Sequence, residues 1–367
     1  MGHFRKRLIT LLMTERCNLA CRYCFLGSTP QEGPGRTLDL KFAKLGIDDF
    51  FAANPPAIRF FGSGEPTMAF EAIQELWRYA KDKADAMGEP LFSELQTNGY
   101  FNEAACEWIG RHLSMVWVSC DGPPDIQDAM RPTASNHPSS EVVERNIRAL
   151  VKGGCRVGVR ATIGSANLHR QKDMVDYFAG LGVEAIFADH ICLALEDGQP
   201  PQEGLGQVSP MDYAREFLKA RAYAEAKGVF YSNFLVVNFD EPVAIACRQG
   251  IPVPHLTPSG YVSSCDMAVD KTGTPMDALL YGVYRPRFGR IDYDQAAIER
   301  IRSRAVGALE ACRDCPVEGY CAGGCAGEAI NETGDFYGVK QNLCEATKFL
   351  AEALGVNHPR PYPYLHP

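Results

Sequence analysis

No stretch of the 367 residues approaches the ~20 consecutive apolar residues of a membrane-spanning helix, so no membrane partner is expected. A secretory signal is missing too. The basic start Met1-Gly2-His3-Phe4-Arg5-Lys6-Arg7 leads into only Leu8-Ile9-Thr10-Leu11-Leu12-Met13, which meets Thr14, Glu15 and Arg16 before any small-residue cleavage site. Positive charge is not in excess: 37 Lys and Arg against 45 Asp and Glu give a net charge of −8. That balance offers no general attraction for a nucleic-acid backbone, and no nucleic-acid partner is expected. No internal repeat is visible beyond a strand–helix alternation. What the chain has in plenty is cysteine, fourteen in all. Without an export signal, so many thiols read as metal ligands rather than disulfides. A cytoplasmic location and sensitivity to air follow as expectations. Hydrophobic content of 46% and charged content of 22% are those of an ordinary soluble enzyme.

From residue 7 to about 190, short β-rich runs alternate with amphipathic helical patterns. Strands are expected at Arg7–Met13, Ala57–Phe61, Leu91–Gln96, Met115–Ser119, Arg156–Ile163 and Glu184–His190. Helices are expected at Asp39–Ala53, Met68–Met87, Asn102–His112, Ser140–Gly153 and His169–Gly180. In Met68–Met87 the residues Ile73, Trp77, Ala80 and Ala84 recur at helical spacing and form a core-facing stripe. Such alternation predicts an α/β fold with a parallel sheet and right-handed crossovers. Six units suit a partial (β/α)6 TIM-like barrel, with chemistry at the C-terminal ends of the strands. The segment Leu195–Pro210, rich in Gly and Pro, reads as a loop or lid. A helix over Met211–Lys227 and an apolar run over Val229–Val237 follow. Beyond about residue 238 the sequence becomes turn-rich and cysteine-dense, which places a domain boundary there: 1–237 and 238–367. Asn357–Pro367 reads as a tail.

Cys17, Cys21 and Cys24 stand at C-x3-C-x2-C spacing just after the first expected strand. A four-iron cluster commonly takes four thiolates, so three from one loop leave one iron open to a chelating ligand. Zinc is the competing occupant, although zinc sites favour C-x2-C pairs joined to a second pair. Phe60-Phe61-Gly62-Ser63-Gly64-Glu65-Pro66-Thr67 ends the second strand, Leu95-Gln96-Thr97-Asn98-Gly99 the third, and Ser119-Cys120-Asp121-Gly122-Pro123 the fourth. Seven further cysteines follow in the order Cys247, Cys265, Cys312-x2-Cys315-x5-Cys321-x3-Cys325 and Cys344, with Gly260 four residues before Cys265. A zinc ribbon is the competing reading of Cys312-x2-Cys315.

Together these motifs resemble the radical S-adenosylmethionine (SAM) superfamily, and the seven C-terminal cysteines resemble its SPASM extension, found in maturases of ribosomal peptides and of sulfatases. The likeness runs from about Leu8 to Cys344. It implies a radical SAM barrel followed by a cysteine-rich SPASM domain, with three [4Fe–4S] clusters and SAM as cofactors. Cys17, Cys21 and Cys24 would hold the SAM-binding cluster. Cys312, Cys315, Cys321 and Cys344 would hold one auxiliary cluster. Cys247, Cys265 and Cys325 would hold the other, with its fourth iron position open to substrate, water or a side chain such as His255. The resemblance also implies that Tyr23, Ser63, Gly64, Glu65, Asn98, Ser119, Asp121 and Arg160 line the SAM pocket. Glu65 would meet the SAM amine, and Arg160 the carboxylate. The family often continues its fourth-strand motif with a His-Asp pair, where this chain has Gln127-Asp128 and then Arg131. Asp266 would accept a proton from the substrate, as an acid next to this cysteine does in sulfatase maturases. The four remaining cysteines, Cys106, Cys120, Cys155 and Cys192, read as small buried hydrophobes.

The implied activity is reductive SAM cleavage to a 5′-deoxyadenosyl radical that takes hydrogen from a peptide or protein side chain. The product would be a C–C, C–O or C–S crosslink or a net oxidation. A formylglycine-forming sulfatase maturase and a small-molecule radical SAM dehydrogenase are the alternatives; a non-enzymatic metal or redox-sensing protein is the rival of another class. A flavodoxin- or ferredoxin-type protein would supply electrons. The first expected strand begins by residue 7, so either a separate leader-peptide-binding protein presents the substrate or the cleft recognises it directly.

Overall fold

The alternating pattern becomes a series of strands and helices in a computed structural model that describes residues 7–24, 35–191, 208–247 and 250–356. In chain order they are β1 (Ile9–Leu12), α1 (Leu40–Phe51), β2 (Ala57–Phe61), α2 (Phe70–Met87), β3 (Phe92–Thr97), α3 (Glu103–His112), β4 (Met115–Ser119), α4 (Pro124–Met130) and α5 (Ser140–Lys152). Next come β5 (Val157–Ile163), α6 (Gln171–Gly180), β6 (Ala185–His190), α7 (Pro210–Ala226), β7 (Phe230–Ser232), β8 (His255–Leu256) and β9 (Tyr261–Ser263). The chain ends with β10 (Leu280–Arg285), β11 (Arg290–Tyr293), α8 (Gln295–Ser303), α9 (Glu318–Cys321), α10 (Ala326–Thr333) and α11 (Cys344–Leu354). Cys192, most of the expected lid Leu195–Pro210 and the tail Asn357–Pro367 lie outside the described residues.

The chain divides into two compact units. One comprises Met1–Glu15, Arg36–Ser93 and Leu235–Pro367; the other comprises Arg16–Gly35 and Glu94–Phe234. In the first unit β2 and β8 flank β1, both parallel to it, with Thr10 opposite Arg59 on one side and His255 on the other. Antiparallel β9, β10 and β11 extend this sheet beyond β8. In the second unit β3 to β7 are parallel in sequential order. β1 is buried along its whole length, as are the first four residues of both β2 and β4. This is the pattern of parallel strands covered on both faces.

Local chemistry sets the helix ends. Asp39 caps α1 by accepting from the Phe42 amide at 2.9 Å, and Asn102 caps α3 through the Ala105 amide at 2.9 Å. α2 stops at Gly88, whose φ of +71° is left-handed. Its buried stripe is Ile73, Leu76, Ala80 and Ala84. Trp77 is only partly buried and donates from its indole to Ser93 at 3.3 Å. Val229–Val237 forms a strand only over Phe230–Ser232, then turns.

Gly158 in β5 marks a close packing point. A Cβ there would lie 2.3 Å from the Trp117 ring. Gly158→Ala is expected to cost about 1–3 kcal/mol by overpacking, read as a lowered urea midpoint with an unchanged m-value.

Candidate functional site: three sets of thiols

The N-terminal cysteine loop lies in the second unit and is tied down by backbone bonds before any metal is considered. Ala20 N donates to Pro132 O at 2.8 Å, Arg22 N to Met130 O at 3.0 Å, and Ala134 N to Asn18 O at 3.0 Å. Asn98, at the end of β3, donates to Asn18 Oδ1 at 2.8 Å and faces Cys17 Sγ at 3.8 Å. Its own oxygen accepts from the Tyr100 amide at 2.8 Å.

Beneath the loop is a buried ionic network. Asp121 is fully buried and pairs with Arg131 Nε at 3.0 Å. The Tyr23 hydroxyl donates to the same carboxylate, and the Thr162 amide donates to its other oxygen at 2.9 Å. The Arg131 guanidinium stacks over the Tyr23 ring with 5.1 Å to its centroid, and its Nη1 reaches Cys21 Sγ at 3.9 Å. Burial pushes the Tyr23 phenol well up and the Cys21 thiol up to about 11, with the Arg131 charge opposing both. Asp121 is thus taken up by protein donors and braces the loop through Tyr23. The Gln127-Asp128 pair serves the same brace. Gln127 accepts from the Asp121 amide at 3.1 Å and donates to Ser139 Oγ, which donates to Arg131 O. Asp128 Oδ1 accepts from the Ser139 and Ser140 amides at 2.8 Å each, at the start of α5.

Ser119 ends β4 opposite Arg160 of β5. Arg160 pairs with Asp189 at 2.7 Å and lies over the Phe187 ring. A SAM carboxylate at Arg160 would therefore share the guanidinium with Asp189. Cys106 and Cys120 are buried as expected, while Cys155 is half-buried.

In the first unit, Gly62-Ser63-Gly64-Glu65 leaves β2 in a turn so tight that a Cβ on Gly62 would meet Gly64 O at 2.4 Å. Gly64 N donates to Thr14 O at 2.9 Å. Glu65 is buried and accepts from the Thr67 amide and hydroxyl at 3.0 and 2.6 Å. Ser63 Oγ is buried and has no hydrogen-bond partner among the described residues. An unmet buried hydroxyl is costly unless a ligand completes it, and a polar ligand against this turn would do so.

Three strands of the first unit also present a polar row around Asp266; the sequence reading named His255 and Asp266 but missed Arg59 and its link to Thr10. Arg59 of β2 is buried, donates to Thr10 of β1 at 3.2 Å, and grips both oxygens of Asp266 at 2.6 and 2.8 Å. His255 of β8 places Nε2 at 3.1 Å from Asp266 Oδ1, while its Nδ1 faces the Val253 and Ser263 carbonyls. Both ring nitrogens face protein partners, so His255 orients Asp266 in this structure. A charged residue inside the apolar run Ala57–Phe61 was the available signal.

The C-terminal thiols separate into two groups by which of them act on one another. The charges of Cys265 and Cys247 bear on Cys325, and that of Cys247 on Cys265. Separately, Cys344, Cys312 and Cys315 bear on Cys321, and Cys315 on Cys344. Burial pushes Cys265 and Cys321 up to about 12 and Cys312 up to about 11. No group of three His, Cys, Asp or Glu among the described residues is posed as a complete metal-ligand set. The two groupings nevertheless have the composition of thiolate cluster sites, whose loading would release these protons.

Residues 11–178 match the Radical SAM superfamily. The chain carries a radical SAM domain. Over 210 residues it is 30% identical to an AdoMet-dependent heme synthase of Oleidesulfovibrio alaskensis, covering 56% of this chain and 50% of that one. Over 339 residues it is 25% identical to a Cysteine-type anaerobic sulfatase-maturating enzyme of Clostridium perfringens, covering 84% and 85%. The chain spans about half the length of several curated relatives it matches, from 39% to 62%. Its mixed α/β fold is that of the solved radical SAM/SPASM enzymes. The native anSMEcpe structure with bound AdoMet and Cp18Cys peptide matches at a TM-score of 0.73 and 18% identity over 94% of this chain and 96% of that one. Streptococcus suis SuiB bound to its precursor peptide SuiA matches at 0.65 and 13% over 93% and 76%.

Asp121→Asn would leave the buried Arg131 charge unpaired. A loss of about 3–5 kcal/mol is expected in anaerobic denaturant titrations, against about 1 kcal/mol for Tyr23→Phe, which removes one hydrogen bond.

Proposed function

We propose that the chain is a radical SAM enzyme that modifies a peptide or protein side chain, giving a crosslink or a net two-electron oxidation. The observation that carries this reading is the braced three-cysteine loop together with two further thiol sets in one chain. In this reading residues 1–237 are the core and 238–367 the auxiliary-cluster domain. Cys17, Cys21 and Cys24 would hold a [4Fe–4S] cluster, with SAM at its open iron. Cys312, Cys315, Cys321 and Cys344 would hold a second cluster, and Cys247, Cys265 and Cys325 a third. Bound together and reduced, the first cluster and SAM supply a 5′-deoxyadenosyl radical able to take hydrogen from an unactivated C–H bond. The unmet Ser63 hydroxyl and the buried Glu65 carboxylate would meet SAM from one turn. Tyr23, Asn98, Ser119, Asp121 and Arg160 would hold the cysteine loop and the rest of the pocket.

Asp266 would take the proton that the substrate loses on oxidation. Arg59 grips both of its oxygens, and His255 faces one of them, so the carboxylate is fixed in direction before substrate arrives. Electrons would come from a flavodoxin- or ferredoxin-type protein, and a separate leader-binding protein would present a peptide substrate. Solved structures of this fold with a bound Cp18Cys peptide and with the precursor peptide SuiA support a peptide substrate. Formylglycine formation on a sulfatase is the second reading, supported by the relative covering 84% of the chain.

Anaerobic reconstitution is expected to give about twelve irons per chain, four per cluster, and 5′-deoxyadenosine under strong reductant. Cys17→Ala is expected to abolish that product; unchanged SAM cleavage would sink the reading. A modified peptide should be 2 Da lighter per crosslink, whereas formylglycine would be trapped by a hydrazide. Asp266→Asn is expected to keep 5′-deoxyadenosine formation while lowering peptide product about 10²–10⁴-fold, measured in the same reaction by mass spectrometry.

A further inference from the structure

Arg304, the residue after α8, is the feature of the C-terminal region that the thiol sets do not explain by themselves. Its side chain is 4% exposed. Nε donates to Phe336 O at 2.9 Å and Nη2 to Gly338 O at 2.7 Å. Both acceptors are neutral carbonyls of the loop after α10, and among the described residues no carboxylate lies within ion-pair distance. A buried charge without a counter-charge is expensive. Arg131, by contrast, is a buried guanidinium that Asp121 neutralises.

The surroundings of Arg304 show where its counter-charge would come from. The guanidinium packs against the turn Cys321-Ala322-Gly323-Gly324-Cys325: a Cβ on Gly323 would lie 3.7 Å from both Nη1 and Nη2. Ala322, Gly323 and Gly324 all have positive φ, at 47°, 76° and 67°. This turn carries Cys321 of one thiol set and Cys325 of the other, so the cation sits at the seam of the two sets. Burial lowers the guanidinium's proton affinity, and the charges of Cys247, Cys325, Cys312 and Cys321 oppose that shift.

We propose that Arg304 is the shared counter-cation of the two auxiliary cluster sites and holds both clusters at a higher reduction potential than their thiolate ligands alone would give. This rests on the reading that both thiol sets carry [4Fe–4S] clusters. Each one-electron reduction adds a negative charge next to a fixed, desolvated positive one, so the reduced form is favoured. A cation at the seam acts on both couples at once and would help either cluster accept the electron that a substrate radical gives up as it is oxidised. Its two hydrogen bonds to the 336–338 loop keep it in place.

The test uses full-length protein with Cys17, Cys21 and Cys24 replaced by Ala, so that only the auxiliary clusters contribute signal. About eight irons per chain are expected, four per cluster; a lower count in this parent protein refutes the two-cluster reading itself, separately from any role of Arg304. In the loaded protein, Arg304→Gln is expected to shift both couples at least tenfold toward the oxidised form at fixed ambient potential, ~59 mV for one electron, in an EPR-monitored redox titration. Arg304→Lys, which keeps the charge and loses the fork, is expected to stay near the parent value. Unchanged potentials in Arg304→Gln overturn the proposal, as do equal shifts or equal iron loss in the Gln and Lys variants, which mark a tether rather than a charge. Iron loss confined to Arg304→Gln, with Arg304→Lys loaded at parental potential, supports it.

Discussion

Arg131 and Asp121 form the ion pair on which the N-terminal site depends. Neither charge is tolerable alone at that depth, and together they fix three things: the Tyr23 ring, the Cys21 thiol and the end of β4. The cysteine loop has no regular secondary structure of its own, and the backbone bonds from Ala20 and Arg22 lead to the same Met130–Pro132 segment that carries Arg131. The loop is therefore placed by a folded scaffold, through backbone bonds and through the Tyr23 and Asn98 contacts.

Much of the alternating strand–helix part was legible because its signals are periodic. β2 and β4 have the expected bounds, and the first six strands and five helices differ by only a few residues at either end. α4 escaped notice because seven residues opening on Pro124 give no helical period. After residue 238 the elements are two to six residues long in the strands and packed around thiols, so neither period is sampled long enough to read. The cysteine spacings carried that region instead. They pointed to thiolate chemistry there, but not to the strand β8 that joins β1.

Buried charges were the least legible feature. Arg59, Arg131 and Arg304 look like surface cations in a sequence, yet each is at most 8% exposed. Arg59 had a signal that went unread, a cation in an otherwise apolar strand. Their partners are not neighbours at helical or strand spacing: Asp266 lies 207 residues from Arg59, Cys21 and Asp121 lie 110 and 10 from Arg131, and Arg304 packs on the 321–325 turn. The substitution of Gln127 for a family His also gained a physical meaning only in the folded chain, as a link between the Asp121 amide and Ser139.

The pairing of β1 with β8 has a consequence for biosynthesis. β1 precedes the other ten described strands in the chain, and β2 covers one of its edges soon after it is made. The other edge waits for His255 and Leu256, roughly 245 residues behind Thr10, or about 10–50 s at usual elongation rates. During that interval an apolar strand has unsatisfied backbone groups along one side, the kind of edge that recruits foreign strands. Nascent chains stalled before residue 255 should be more prone to clump than the finished protein, whatever their iron supply.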